Sequence, residues 1–144
     1  MKQSNPITYL EEWKSGDLPP PPVTVLLGSK LTSFGDGTAE VVLEASAKHY
    51  NHSGTVHGGI ISAFADVAMG AAIASKLKSG ESFSTVSMNT GFFKAFSKGR
   101  LTAKAVVVRR GRTTAYVECE VVSEKDLIAK ASSTCVIIKA SISH

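Results

Sequence analysis

The sequence predicts an α+β domain in which an antiparallel sheet wraps around one central helix. Three observations carry that expectation. Apolar residues recur at helical spacing over one long stretch, Gly58 to Leu77. A hairpin signal, Gly35-Asp36-Gly37, comes before that stretch, and alternating apolar residues follow it as far as Lys139. With 144 residues, 43% of them hydrophobic and 19% charged, the chain can bury one core and needs no cross-links.

Taken in order, Pro6 to Ser15 is expected to form a short helix, and the prolines within Gly16 to Pro22 a stiff linker, because proline cannot donate ladder hydrogen bonds. Residues 1–22 are therefore expected to be an extension and residues 23–144 the folded domain. Val23 to Ser46 should supply two strands around the Asp-Gly turn, and Lys48 to His57 a polar loop. In the long stretch, Ile60, Phe64, Ala68 and Ala72 form one row and Ile61, Ala65, Met69 and Ile73 the next, so the helix is expected to be buried on nearly all sides. After Ser79-Gly80 three or four strands are expected. Leu101, Ala103, Ala105 and Val107 alternate before Arg110-Gly111-Arg112, Ala115 to Val121 alternate after it, and Leu127 to Lys139 ends the series. Cys119 and Cys135 fall within alternating apolar stretches and read as reduced core thiols.

The net charge of +4 comes from scattered Lys and Arg with no basic run, which argues against nucleic acid and fits a phosphorylated small molecule. No apolar run reaches the length of a membrane span, and Met1 to Trp13 does not read as a signal peptide, so a cytoplasmic protein without a membrane partner is expected. His49, His52 and His57 lack the Cys or second carboxylate that would complete a metal site, and no metal or resident cofactor is expected.

Asp66 is the only charged side chain between Gly58 and Ser75, in the middle of an otherwise apolar helix. A carboxylate there loses solvation, and aspartate is a poor helix-interior residue, so neither packing nor propensity explains it. The helix opens with His57-Gly58-Gly59, whose glycines admit close approach and whose first-turn amides, aided by the helix dipole, suit an oxyanion. Asp66 lies seven residues past Gly59, or ~10 Å along a helix axis, too far for both to serve one carbonyl within one chain. A homo-oligomer in which Asp66 faces a partner's helix start follows, at least a dimer, with a homotetramer as the larger assembly. Ser62 has no nucleophile elbow around it.

The run Asn51-His52-Ser53-Gly54-Thr55-Val56-His57-Gly58-Gly59, followed after six residues by Asp66, resembles the N-x-x-G-x-x-H-G-G-x6-D signature of the hotdog-fold acyl-CoA thioesterases of the PaaI type, within the 4-hydroxybenzoyl-CoA thioesterase group. The likeness extends over Val23 to Ile138. It implies a hotdog fold and hydrolysis of an acyl-CoA, the coenzyme being part of the substrate. Asp66 would act as base or nucleophile, the partner's Gly59 amide would polarise the carbonyl, and Asn51 and His57 would order the loop and substrate. Thr85 would assist from the strand after the helix, with Ser84 and Ser87 as neighbours able to take that role. Gly58, Lys94 and the turn Arg110-Gly111-Arg112 would contact substrate, the basic residues holding the nucleotide. Phe64, Met69, Phe83, Met88, Phe92 and Phe93 could line an acyl tunnel. A hotdog hydratase, or an acyl-CoA binding or sensing domain, would use the same fold. The first would need a catalytic His beside the acid on the helix, and the second an output segment.

Overall fold

The computed structural model describes residues 5–140. Helix α1, Pro6–Ser15, begins where Asn5 Oδ1 accepts the Ile7 amide hydrogen at 2.9 Å and Pro6 takes the first turn, and it ends at Gly16 in the left-handed region. A second helix, α2, spans Pro22–Leu27 where strand was expected. Two local features explain it: Pro22 sits at a position that tolerates proline, and Gly28, φ +73°, supplies the left-handed C-cap. The expected boundary at residues 22 and 23 thus falls inside α2. Leu10 and Trp13 of α1 and Leu27 of α2 join the same core as the rest of the chain.

Strands β1, Ser29–Gly35, and β2, Thr38–Ala45, form the expected hairpin, with Asp36-Gly37 as a two-residue turn. A 3-10 turn, Ala47–His49, leads to the loop before α3, Gly58–Ala74. The helix stops before Leu77 because Ser75 turns its hydroxyl back to Ala72 O, at 2.6 Å, and also accepts the Gly37 amide hydrogen, at 2.8 Å. Four strands follow: β3 Glu81–Phe92, β4 Gly99–Arg110, β5 Thr114–Val122 and β6 Leu127–Lys139. All pairings are antiparallel, and the sheet order is β1-β2-β4-β5-β6-β3.

Register explains how the sheet closes on α3. Leu31, Val41, Ala103, Val121 and Ala129 are cross-strand neighbours in one row, and Ala39, Ala105, Cys119 and Ala131 in another, all of them buried. The alanines let α3 approach closely, and Phe64, Ala65, Ala68, Met69, Ala72 and Ile73 fill the space. Cys119 and Cys135 are buried free thiols, and burial pushes the Cys119 thiol up to about 12. The helix is not buried on every side, however. Gly59 and Asp66 are exposed in the single chain, and Ser62, Val67 and Gly70 are half-buried, so one strip of α3 stays open. Among the described residues no helix is long and apolar enough to cross a membrane.

Candidate active site

Gly58, Ser62, Asp66 and Gly70 recur at intervals of four and so lie in one row along α3. Side chains of β3 meet that row one after another. The Phe92 ring stands 3.2 Å from where a Cβ on Gly58 would be, and Ser62 Oγ donates to Thr90 Oγ1 at 3.1 Å. Thr85 faces Asp66 closely enough to lower its carboxyl pKa, with its Oγ1 3.7 Å from Cys135 Sγ, and the Phe83 ring would lie 3.3 Å from a Cβ on Gly70. Small residues in the row let β3 come this close.

A bulge selects Thr85. Thr85 pairs with Cys135 and Ser87 with Thr134, which leaves Val86 as an extra residue without a partner. Before the bulge the odd positions Phe83 and Thr85 meet α3; after it the even positions Thr90 and Phe92 do. Ser84 and Ser87 therefore fall on the opposite side from Asp66. Loss of solvation raises the Asp66 carboxyl above its ordinary 3.8, and the Thr85 hydroxyl partly offsets the rise by favouring the charged form.

The helix start is built from the preceding loop. Asn51 Oδ1 accepts the amide hydrogens of Ser53 and Thr55, at 2.9 and 3.2 Å, while its Nδ2 donates to Thr55 Oγ1 at 2.9 Å, so the side chain orders the loop. Val56 N donates to Phe96 O and His57 N to His49 O, both at 2.8 Å, tying the loop to its neighbours. His49 uses both ring nitrogens structurally, Nδ1 toward Ser46 N and Nε2 toward Leu27 O at 2.7 Å. His57 is the N-cap: its Nδ1 accepts the Gly59 amide hydrogen at 2.8 Å. A Cβ on Gly59 would stand 3.0 Å from that nitrogen, so a larger residue there would push the His57 ring aside. The Gly59 amide expected to face a substrate is thus held by its own cap, and the Gly58 amide beside it has no partner among the described residues.

The expected cations separate. Lys94 pairs with Asp126 at 2.7 Å and, with Lys98 and Arg100, lines a cleft next to Phe96, on the side of the helix start. Arg110 lies near the other end of α3, paired with Glu81 and donating to Gly111 O at 3.0 Å, while Arg112 is exposed beside it. Within one chain these two groups flank opposite ends of α3, ~25 Å apart by its length.

Beside Asp66 opens a cavity of about 280 Å³ walled by Tyr9, Leu10 and Trp13 of α1, Pro21, Val23 and Thr24, Val67, Gly70, Ala71 and Ala74 of α3, and Phe83. Of the tunnel candidates only Phe83 lines it. Phe64 and Met69 are core, at 0% and 1% exposure, and Phe93 is turned to solvent. The sequence reading missed the contribution of α1 and α2. Tyr9 and Trp13, four residues apart on one face, and the Pro22 and Gly28 caps were the available signals.

The thioesterase superfamily model matches residues 53–130, which include the helix start, Asp66 and Thr85. Among solved structures, a conserved protein of Pseudomonas aeruginosa is 31% identical with a TM-score of 0.79, over 82% of this chain and 94% of that one. The phenylacetic acid degradation protein PaaI of Thermus thermophilus is 33% identical with a TM-score of 0.76, over 81% and 98%. A phenylacetic acid degradation-related protein of Ralstonia eutropha is 29% identical with a TM-score of 0.83, over 89% and 98%. With a six-stranded antiparallel sheet around α3 and a family match across more than half its length, the chain belongs to the thioesterase superfamily of hotdog-fold thioester hydrolases.

Proposed function

We propose that this thioesterase hydrolyses an acyl-CoA, with Asp66 acting on the thioester carbonyl either through water or directly. The observation that carries this reading is the Asp66 carboxylate, beside Thr85 on the open strip of α3 and bordering an apolar cavity. In the water route, Asp66 takes a proton as water oxygen bonds to the carbonyl carbon; the tetrahedral intermediate then collapses, the C–S bond breaks, and the proton is returned to the departing thiolate. In the direct route, the carboxylate forms an anhydride as thiolate leaves, and water then cleaves it.

The oxyanion donor is the helix start of a partner chain, where the Gly58 amide is open and the Gly59 amide becomes so when His57 releases it. Separation along α3 supports a shared site, as does the outer edge of β3. That edge pairs with no strand among the described residues, carries no charge beyond Glu81 and leaves Val86 59% exposed, so it suits pairing with another copy. Lys94, Arg112 and their neighbours supply cations for the coenzyme phosphates, while Arg110 is committed to Glu81.

Thiol release from octanoyl-CoA tests both parts. Asp66→Asn is expected to lose about 1000-fold or more in kcat, and Gly59→Val, which displaces His57, a comparable factor. Unfolding and refolding an equal mixture of the two should restore about a quarter of wild-type activity, because the mixed dimer keeps one intact site. Full activity in Asp66→Asn would sink the assignment, and a mixture as inactive as its parts would sink the shared site.

A further inference from the structure

We propose that the N-terminal helices α1 and α2 form the acyl pocket of this enzyme and set the size of acyl group it accepts. This rests on the thioesterase reading for the identity of the ligand, but the pocket is argued from its walls. The groove of about 280 Å³ beside Asp66 is open to solvent and mostly apolar, the concave apolar character with one polar group that small-molecule sites share.

The walls explain why the space persists. Tyr9 and Trp13 form a tilted aromatic pair, ring centroids 6.2 Å apart, on the α1 side. Opposite them Gly70, Ala71 and Ala74 give α3 a low surface, and Phe83 closes the base against Gly70. Burial raises the Tyr9 phenol, so that wall stays neutral. Among the described residues Asp66 is the only charged one in the lining. A carbonyl held at Asp66 therefore points its apolar substituent between α1 and α3.

The volume lies near the lower limit for small-molecule sites, about 300 Å³, which admits a single ring or a medium-length chain and excludes a nucleotide. Each methylene buried there is worth about fourfold in affinity.

Trp13 is the only tryptophan in the chain, so binding can be read without turnover. In Asp66→Asn, octanoyl-CoA should shift Trp13 emission saturably, whereas CoA and acetyl-CoA at equal concentration should not. In proteins that retain Asp66, the ratio of kcat/KM for octanoyl-CoA to that for acetyl-CoA should fall about tenfold with Tyr9→Ala, which removes a wall. Should Tyr9→Ala fail to fold, Gly70→Ala narrows the same space from a helix position where alanine is favoured, and the same ratio should fall. An equal emission change with CoA alone, or an unchanged ratio in a folded variant, overturns the proposal. A wild type that hydrolyses no acyl-CoA while Trp13 still responds selectively to octanoyl-CoA would remove the hydrolase reading and leave the pocket standing.

Discussion

The two flanks of α3 obey different rules. On the flank facing β2, β4 and β5, buried and exposed residues alternate along each strand, and every helix residue that meets the sheet is apolar. On the flank facing β3, the helix presents Gly58, Ser62, Asp66 and Gly70, and most of β3 is exposed or only partly covered. One helix thus carries a face selected for burial and a face selected for access. The contrast teaches that an acid in an apolar helix marks the face that packing does not explain.

Paired substitutions break the comparison most strongly. Phe64, fully buried, should cost about 3–5 kcal/mol when replaced by Ala, read as a lower midpoint in urea unfolding. Two residues along, Asp66→Asn should leave stability at pH 7 equal or higher. The folded-state pKa of Asp66 is raised, so its contribution is fully present below the unfolded value and is lost as pH rises through the folded one; at neutral pH the charge only opposes folding. A clear drop in stability for Asp66→Asn would mean the carboxylate holds the fold together, and the two flanks would not differ as described.

The next effect lies at the end of β3, where access gives way to anchoring. Glu81 and Arg110 form a largely buried pair, 6% and 15% exposed, and Arg110 Nε is buried without a hydrogen-bond partner among the described residues. The Lys78 amide and then Arg110 hold the Glu81 carboxyl below its ordinary value. Glu81→Gln leaves a buried guanidinium uncompensated and should cost about 3 kcal/mol at pH 7. Because the folded-state pKa is lowered, that contribution is present above the unfolded value and disappears as pH falls through the folded one, so the gap between variant and wild type should close in acid. A gap that persists at low pH would assign the loss to packing.

The legible parts of the molecule were those with periodic signals. Alternation located β4, β5 and β6, and spacing located α3; the uncompensated charge singled out Asp66, which lies on the open strip of that helix. The rest depended on features that periodicity does not carry. Val23 to Leu27 is apolar enough for a strand, and only its Pro22 and Gly28 ends make it a helix. No sequence pattern announces the extra residue Val86, yet it decides which hydroxyl meets Asp66. The cavity walled by Tyr9 and Trp13 was invisible because the proline run read as a boundary, and the Gly59 amide looked open because capping by His57 is a property of one rotamer.

The smallest expected effect tests the bulge. Thr85 favours the ionised form of Asp66, so Thr85→Val should leave the carboxyl higher still and move the acid limb of kcat/KM toward higher pH. At neutral pH the loss should be about tenfold, the lower end of what one polar contact to a charged group is worth. Ser84→Ala and Ser87→Ala, one on each side of Thr85 and Val86, should leave the limb in place because the bulge turns both away from α3. A limb that moved with Ser87→Ala and stayed with Thr85→Val would mean that β3 slips by one residue around Val86 in solution, which would exchange its two faces and bring the other set of side chains to the open strip.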